Sequence, residues 1–286
     1  MEPDTSTGNA SAVTRQVGVL TVTCLLDAAG PFTLNPTEEA FPDATAADWA
    51  AARAIDAGAF GTDGRWHLHF HCFAIQAPDG HVTVVDTGVG PDGSPASWAP
   101  LPGRLPQALL EIGVQPGDVD LVVQTHLHGD HLGWAVTPGG VPFFGAARYV
   151  VQRNEVSALE RSGSPIVAHT LQPLRNSGQL DEISGRATLL GGHGRANHRV
   201  VAVPTPGHTP GHQSVLVEDG DERLVITGDV LVHAVQLVDP DVRYVHEDDP
   251  DTARTTRREL LAAARRDGSE LAPAHLTAPF LTPGQW

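Results

Sequence analysis

The sequence predicts an α/β fold with helices covering sheets, and three observations carry that expectation. Strand and helix signals are mixed along the whole length instead of being confined to separate halves. The strand signals are short, apolar and β-branched, as in "RVVAVP" and "RLVITG". At 286 residues and 41% hydrophobic, the chain can bury a substantial core. Length alone permits one domain or two. With neither an internal repeat nor a low-complexity linker, a single domain over residues 16–286 is expected, behind a disordered tail at 1–15.

Taken in order, "VGVLTVTCLL" (17–26) reads as a strand, and "ATAADWAAARAIDAG" as a short alanine-rich helix ending in glycine. "HLHFHCFAI" (67–75) and "HVTVVDTG" (81–88) form a hairpin around the turn "APDG". "LPQALLEIGV" is helical and leads through "QPGDVD" into the strand "LVVQ". Strands follow at "ARYVVQ", "ATLLG", "HRVVAVPT", "SVLVED", "RLVITGD" and "ELAPAH", with helices at "RNEVSALER" and "PDTARTTRRELLAAARRDG". Residues 161–185 carry the weakest signal and are read as a cap or mobile loop.

With 34 acidic against 18 basic residues, the formal charge of -16 repels nucleic acid and anionic membrane surfaces. The arginines of "TRRELLAAARR" (256–266) read as the solvated face of an amphipathic helix. Cys24 and Cys72 are too few for a disulfide framework and are expected buried and reduced. The first residues show neither a basic nor an apolar leader region, and no apolar run reaches about 18 residues, so a cytoplasmic protein is expected.

The chemistry concentrates in "QTHLHGDHLGW" (124–134), where three histidines and an aspartate fall between His126 and His131. An H-x-H-x-D-H pattern arises by accident in on the order of one chain of this size in several hundred. Imidazoles and a carboxylate suit zinc, iron or manganese. His126 and His128, at i and i+2 of an extended segment, project to one side and can grip one ion. Asp130 and His131 follow the turn at Gly129 and can face a second. Further donors stand at three strand ends: His208 after "RVVAVPTPG", Asp229 closing "RLVITGD" and His275 closing "ELAPAH".

The order His-x-His-x-Asp-His, His, Asp, His resembles the metallo-β-lactamase superfamily of binuclear metallohydrolases, over roughly residues 66–286. The resemblance implies a four-layer αβ/βα sandwich with two mixed β-sheets face to face and helices outside. It also implies one metal on His126, His128 and His208, a second on Asp130, His131 and His275, and Asp229 bridging both. Asp86 in "VVDTG" would orient a ligand histidine. "TPGHTPGHQSVLVE" is similar to N-acyl homoserine lactonases, and "GDVLVHAVQLVDP" with "DDPDTARTTR" to the methyl parathion hydrolase branch. The lactonases' tyrosine beside the bridging aspartate is missing, since Val230, Leu231, Val232 and His233 follow Asp229.

The expected function is therefore a zinc-dependent hydrolase, using a metal-bridging hydroxide to cleave a lactone or carboxylic ester. Two divalent cations against two carboxylates leave about +2, which favours ionisation of a bridging water. The alternatives are phosphotriester or thioester hydrolysis, or an iron-dependent, sulfur dioxygenase-like oxidoreductase on the same scaffold. Asp130 and His233 are the candidate catalytic groups, Asp130 orienting the nucleophile or carrying its proton and His233 standing in for the tyrosine. Trp134, Phe143 and Phe144 are read as an apolar wall of the substrate pocket. His67, His69 and His71, on one face of a strand, are read as a polar pocket wall or solvated face in preference to a further metal site. His212 is given a supporting or surface role. The expected partner is a small ester or lactone, with no nucleic acid and no membrane; a homodimer is allowed.

Overall fold

In the computed structural model, which describes residues 12–62, 64–191 and 197–286, the chain forms two mixed sheets. The first contains β1 (Thr14–Val17), β2 (Leu20–Pro31), β3 (His67–Gln76), β4 (Val82–Val85), β5 (Leu121–Val123), β6 (Arg148–Gln152) and β7 (Leu180–Ile183), in that spatial order. Its pairings are antiparallel from β1 to β4 and parallel from β4 to β7. The second contains β8 (Ala187–Gly191), β9 (Arg199–Pro204), β10 (Gln213–Asp219), β11 (Glu222–Gly228) and β12 (Glu270–Pro273). It is antiparallel except where β12 joins β11 in parallel.

Side-chain alternation along these strands builds the layers. Phe73, Ile75, Val85, Leu121 and Val123 of the first sheet meet Val200, Val215, Val217, Leu224 and Ile226 of the second in one buried cluster. The intervening residues Cys72, Ala74, Val84 and Val122 face the other way and pack beneath helices. That arrangement, two sheets face to face with helices outside, is the predicted fold class.

The helices are α1 (Thr37–Ala40), α2 (Ala46–Ile55), α3 (Leu105–Glu111), α4 (Gly129–Leu132), α5 (Arg153–Ser162), α6 (Gln172–Asn176), α7 (Val235–Val238) and α8 (Pro250–Asp267). Thr45 begins α2 by accepting from the Asp48 amide at 3.2 Å, while Asp48 accepts from the Thr45 amide at 2.8 Å. Asp249 caps α8 by accepting from the Thr252 amide at 3.1 Å, with Pro250 in the first turn. Leu105 and Leu109 of α3 and Val156 of α5 cover the first sheet, whereas Leu261 and Ala264 of α8 pack near Leu271 of the second.

Two expectations need correction. The tail assigned to residues 1–15 does not include Thr14 and Arg15, which pair with Thr23 and Val22 in β1, Arg15 reaching Glu270 at 2.9 Å; residues 1–11 lie outside the described residues. Residues 161–185 are neither cap nor loop. They contain the end of α5, a π-helical turn at Val167–Leu171, α6 and the edge strand β7. Leu171 and Leu174 are buried there, so tertiary packing organises a stretch whose local signal is weak.

Cys24 and Cys72 are buried free thiols, and burial pushes Cys24 up to about 12. Among the described residues, no helix is long and apolar enough to cross a membrane.

Candidate metal centre and active site

All seven candidate ligands converge at one edge of the sandwich, where strands give way to loops. His126 and His128 follow β5, and α4 begins immediately after His128, whose backbone is still extended. Asp130 and His131 therefore sit on the first turn of that helix. Gly129 permits the tight entry: a Cβ there would lie 2.9 Å from the backbone of Pro95 and Ala96. His208 lies beyond β9, Asp229 directly beyond β11 and His275 beyond β12.

The side chains form two groups joined by one carboxylate. His126 Nε2 and His208 Nε2 lie 3.0 and 2.9 Å from His128 Nδ1. Asp130 Oδ2 lies 3.5 Å from both His131 Nε2 and His275 Nε2. Asp229 stands between the groups, with Oδ2 3.3 Å from His208 Nε2 and 3.9 Å from His126 Nε2. Its Oδ1 is 3.2 Å from both His131 Nε2 and His275 Nε2. Donors held about 2.0–2.1 Å from a tetrahedral cation sit about 3.3 Å apart, so this spacing fits metal ions. His131 Nε2 and Asp229 Oδ1 are also buried without a hydrogen-bond partner among the described residues, an arrangement a shared cation would satisfy. These imidazole and carboxylate groups could hold metal ions.

The electrostatics of the bare side chains point the same way. Burial opposes charge on Asp229, but His275, His131 and His208 outweigh it and hold the carboxyl well below its ordinary range. Burial likewise opposes charge on His131 and His275, yet Asp229 and Asp130 pull both upward. His126 and His208 go well down, driven first by burial, and so present neutral nitrogens. The carboxylates thus demand positive charge between the two groups.

Supporting hydrogen bonds orient the rings. Asp86 Oδ2 lies 2.8 Å from His131 Nδ1, while its carboxylate accepts from the Thr125 amide at 2.7 Å and the Thr125 hydroxyl at 2.8 Å. His275 Nδ1 donates to the His69 carbonyl at 2.9 Å. His212 is buried, and its Nε2 accepts from the Asp229 amide at 2.9 Å. Glu155, in α5, accepts from the amides of Leu127 and Gly211 at 3.0 Å each, tying the loop of His126 and His128 to the loop after His208. Glu155 has no motif around it in sequence; a lone glutamate in a helical pattern reads as solvated.

Beside the metal groups opens a cavity of about 440 Å³, lined by His128, Asp130, His208, Asp229 and His275 on one side. Leu34, Trp66, Leu68, Trp98, Val232, Tyr244 and Val245 form its largely apolar remainder, with His246, Glu247 and Asp248 at one flank. Tyr244 stacks on His208, with ring centroids 6.2 Å apart and planes 7° from parallel. Burial, followed by Asp229 and Asp130, pushes its phenol well above the ordinary value, so it stays protonated.

Several expected pocket residues stand elsewhere. His233 is buried in an aromatic cage of Phe41, Trp49, Phe60 and Trp66, with ring centroids 5.3–5.4 Å away, and does not line the cavity. Its Nδ1 accepts from the Val235 amide at 3.1 Å. Trp134, Phe143 and Phe144 pack into the helix layer over the first sheet, and the Trp134 indole donates to Asp27 at 3.3 Å. Strand alternation turns Leu68 to the cavity and the histidines of β3 to the opposite side, where His69 and His71 line a separate space of about 220 Å³. His67 is part-exposed and lines neither. Arg257, expected on a solvated face, is buried and binds Glu247 at 2.8 Å.

The Metallo-beta-lactamase superfamily model matches residues 71–275. Among curated relatives, an N-acyl homoserine lactonase of Bacillus sp is 29% identical over 161 residues, covering 51% of this chain and 57% of that protein. One from Bacillus cereus is 27% identical over 174 residues, covering 56% and 62%. The chain thus spans about three fifths of the length of these relatives. Of solved structures, the hydrolase AbOPH in the beta lactamase superfamily superposes with a TM-score of 0.76 at 23% identity, over 94% of this chain and 91% of that one. AidC, a dizinc quorum-quenching lactonase, does so with a TM-score of 0.72 at 18% identity, over 95% and 93%. These structural likenesses show a shared fold. On the family match, the chain belongs to the metallo-β-lactamase superfamily.

Proposed function

We propose that the protein is a binuclear, zinc-dependent hydrolase of neutral ester-like bonds, with lactones and carboxylic esters as its substrate class. The observation that carries this reading is the division of Asp229 between two histidine groups, Oδ2 toward His208 and His126 and Oδ1 toward His131 and His275. In it, His126, His128 and His208 would hold one cation and Asp130, His131 and His275 the other, with the Asp229 carboxylate standing between the two groups. When bound, such cations supply Lewis acidity, lowering the pKa of water toward about 7 and polarising a carbonyl oxygen.

The chain's own groups do the rest. Asp130 lines the cavity and is the carboxylate beside the substrate that takes a proton as water attacks and returns it to the leaving oxygen. Tyr244, protonated and stacked on His208, donates a hydrogen bond to the substrate oxygen, in place of the role first assigned to His233. Leu34, Trp66, Leu68 and Trp98 shed water around an apolar acyl or aryl portion. Among the described residues, no Lys or Arg lines this cavity, whereas Glu247 and Asp248 do. That lining disfavours glutathione thioesters, whose carboxylates need cationic partners.

Elemental analysis of the purified protein, followed by assay of the same sample against lactones, aryl esters, phosphotriesters and glutathione thioesters, tests the reading. Two metal ions per chain and turnover of neutral lactones or esters, lost on chelation, are expected. Failure to retain metal, or a preference for the glutathione thioester, would overturn it.

A further inference from the structure

Asp27 is a buried carboxylate that the chemistry above does not use. It lies within the otherwise apolar strand β2 and is 1% exposed. The pairing of β2 with β3 shifts register at this residue: Leu26 opposes His71 and Ala28 opposes Phe70, which leaves Asp27 as the extra residue of a β-bulge. Bulges re-aim the side chain they carry. Here the carboxylate is packed beside Gly88 and Gly103, and a Cβ at either position would collide with it.

Its two oxygens fasten three segments together. Oδ2 accepts from the Val89 amide at 2.7 Å, while Oδ1 accepts from the Leu105 amide at 2.6 Å, at the start of α3, and from the Trp134 indole at 3.3 Å. Two of these segments carry the turn of His131. The Thr87 amide donates to the His131 carbonyl at 2.6 Å, the Gly133 amide to the Gly88 carbonyl at 2.7 Å and the Trp134 amide to the Thr87 carbonyl at 2.9 Å. Asp27 therefore pins the loop from Thr87 to Val89 and the turn from His131 to Trp134 to each other. Asp86, at the head of that loop, faces His131 Nδ1 at 2.8 Å with its own φ at +60°. Such a φ is strained for a residue with a side chain, and a loop fixed at Val89 resists relaxing it.

The other histidine group is held by different means. His126 and His128 follow β5, and Glu155 ties their loop to the one after His208 through the amides of Leu127 and Gly211. We infer that Asp27 is a positioning residue for one cation alone, the one assigned to Asp130, His131 and His275, so that the two cations can be lost separately. This rests on the two-cation reading proposed above. The role needs a carboxylate, because both oxygens are committed to N–H donors, and an asparagine would turn its own NH₂ toward one of them. Groups that orient a metal ligand are worth about 10–100-fold in metal affinity. Asp27 acts through Asp86 and the backbone of His131, which places its effect near the lower end of that range.

The test follows each cation by cadmium NMR of the cadmium-loaded full chain, with the two signals assigned through His208→Ala and His275→Ala. Competition with a chelator then measures how well each group retains its ion. In Asp27→Asn, the signal of the Asp130, His131 and His275 group should disappear at about tenfold less chelator than in wild type, while the other signal keeps its wild-type behaviour. Trp134→Phe removes one donor to Asp27 and keeps an aromatic ring in place, and should shift the same signal by a smaller factor. A loss in Asp27→Asn that is not confined to that group, or no loss at all, overturns the inference. Should that variant not fold, Trp134→Phe decides by the same criterion. A single wild-type signal would sink the two-cation reading and this inference with it; two wild-type signals that Asp27→Asn moves together, or leaves unmoved, would sink this inference alone.

Discussion

The backbone amide of Asp229 donates to Nε2 of His212 at 2.9 Å, which fixes the direction from which the shared carboxylate enters the centre. With Nε2 accepting, the ring proton belongs on Nδ1, 3.1 Å from the Thr205 carbonyl and 2.8 Å from its hydroxyl. Burial lowers His212 to about 4, so the ring remains a neutral acceptor near neutrality. His212→Ala leaves a buried amide unsatisfied, at a cost of about 1–3 kcal/mol, and loosens Asp229. A lower melting temperature and reduced bound metal are expected, with partial recovery in His212→Gln. Wild-type metal content in the alanine variant would contradict this role.

Glu155 braces the site from behind through the amides of Leu127 and Gly211. Glu155→Ala strands both amides in the interior, and at about 1–3 kcal/mol each this is among the more destabilising single changes available near the site. Glu155→Gln retains one acceptor oxygen and should lose roughly half as much. Urea denaturation of the two variants checks the order; equal losses would argue that burial, not the paired acceptors, sets the effect.

Gly228 ends β11 with φ at +53°, and a Cβ there would sit 2.6 Å from His212 Nε2 and 2.9 Å from Thr125 Cβ. Gly228→Ala therefore adds strain and a clash at the residues that hold Asp229 and His126. Stability should fall by about 1–3 kcal/mol, and metal should be retained less well. Chelator competition measures the second effect separately from the first. Unaltered values in both would show that the strand end can relax.

Acid should destabilise the fold through histidines outside the centre. Burial lowers His233 to about 3, from an ordinary value of 6.5. The unfolded chain then takes up a proton that the folded one refuses. Stability from this group is complete above 6.5 and is lost as pH falls from there toward 3, at up to about 1.4 kcal/mol per pH unit. His71, lowered to about 3 mainly by burial, adds in the same window and sense. His233→Phe keeps a ring in the cage and loses the bond from the Val235 amide, about 1 kcal/mol at neutral pH. Its unfolding free energy should drop less than that of wild type between about pH 7 and about pH 5, by urea denaturation. Identical slopes would exclude His233 as a contributor.

How legible this protein is from its sequence differs from residue to residue, according to the distance over which each feature is decided. His126, His128, Asp130 and His131 stand within six positions, so backbone geometry alone nearly sets their relative placement. His208, Asp229 and His275 were readable because each ends an apolar strand. The β-branched runs announced the strands, although the edge strand "LDEI" at β7 escaped notice because pairing with β6 supplies what its composition lacks.

By contrast, the direction in which a side chain faces depended on partners far along the chain. His233 follows Asp229 by four positions yet turns into a cage built from Phe41, Trp49, Phe60 and Trp66. Trp134 and Phe144 were claimed by the helix layer, and Tyr244 and Glu247 took the cavity places instead. Arg257 went inward because a buried carboxylate and three carbonyls surround it. The sequence by itself determined the α/β class and the seven candidate ligands, because strand periodicity and clustered donors act over a few residues. Only the tertiary structure decided the substrate wall and the bracing groups, because those depend on which of many polar and apolar surfaces meet when segments distant in sequence pack together.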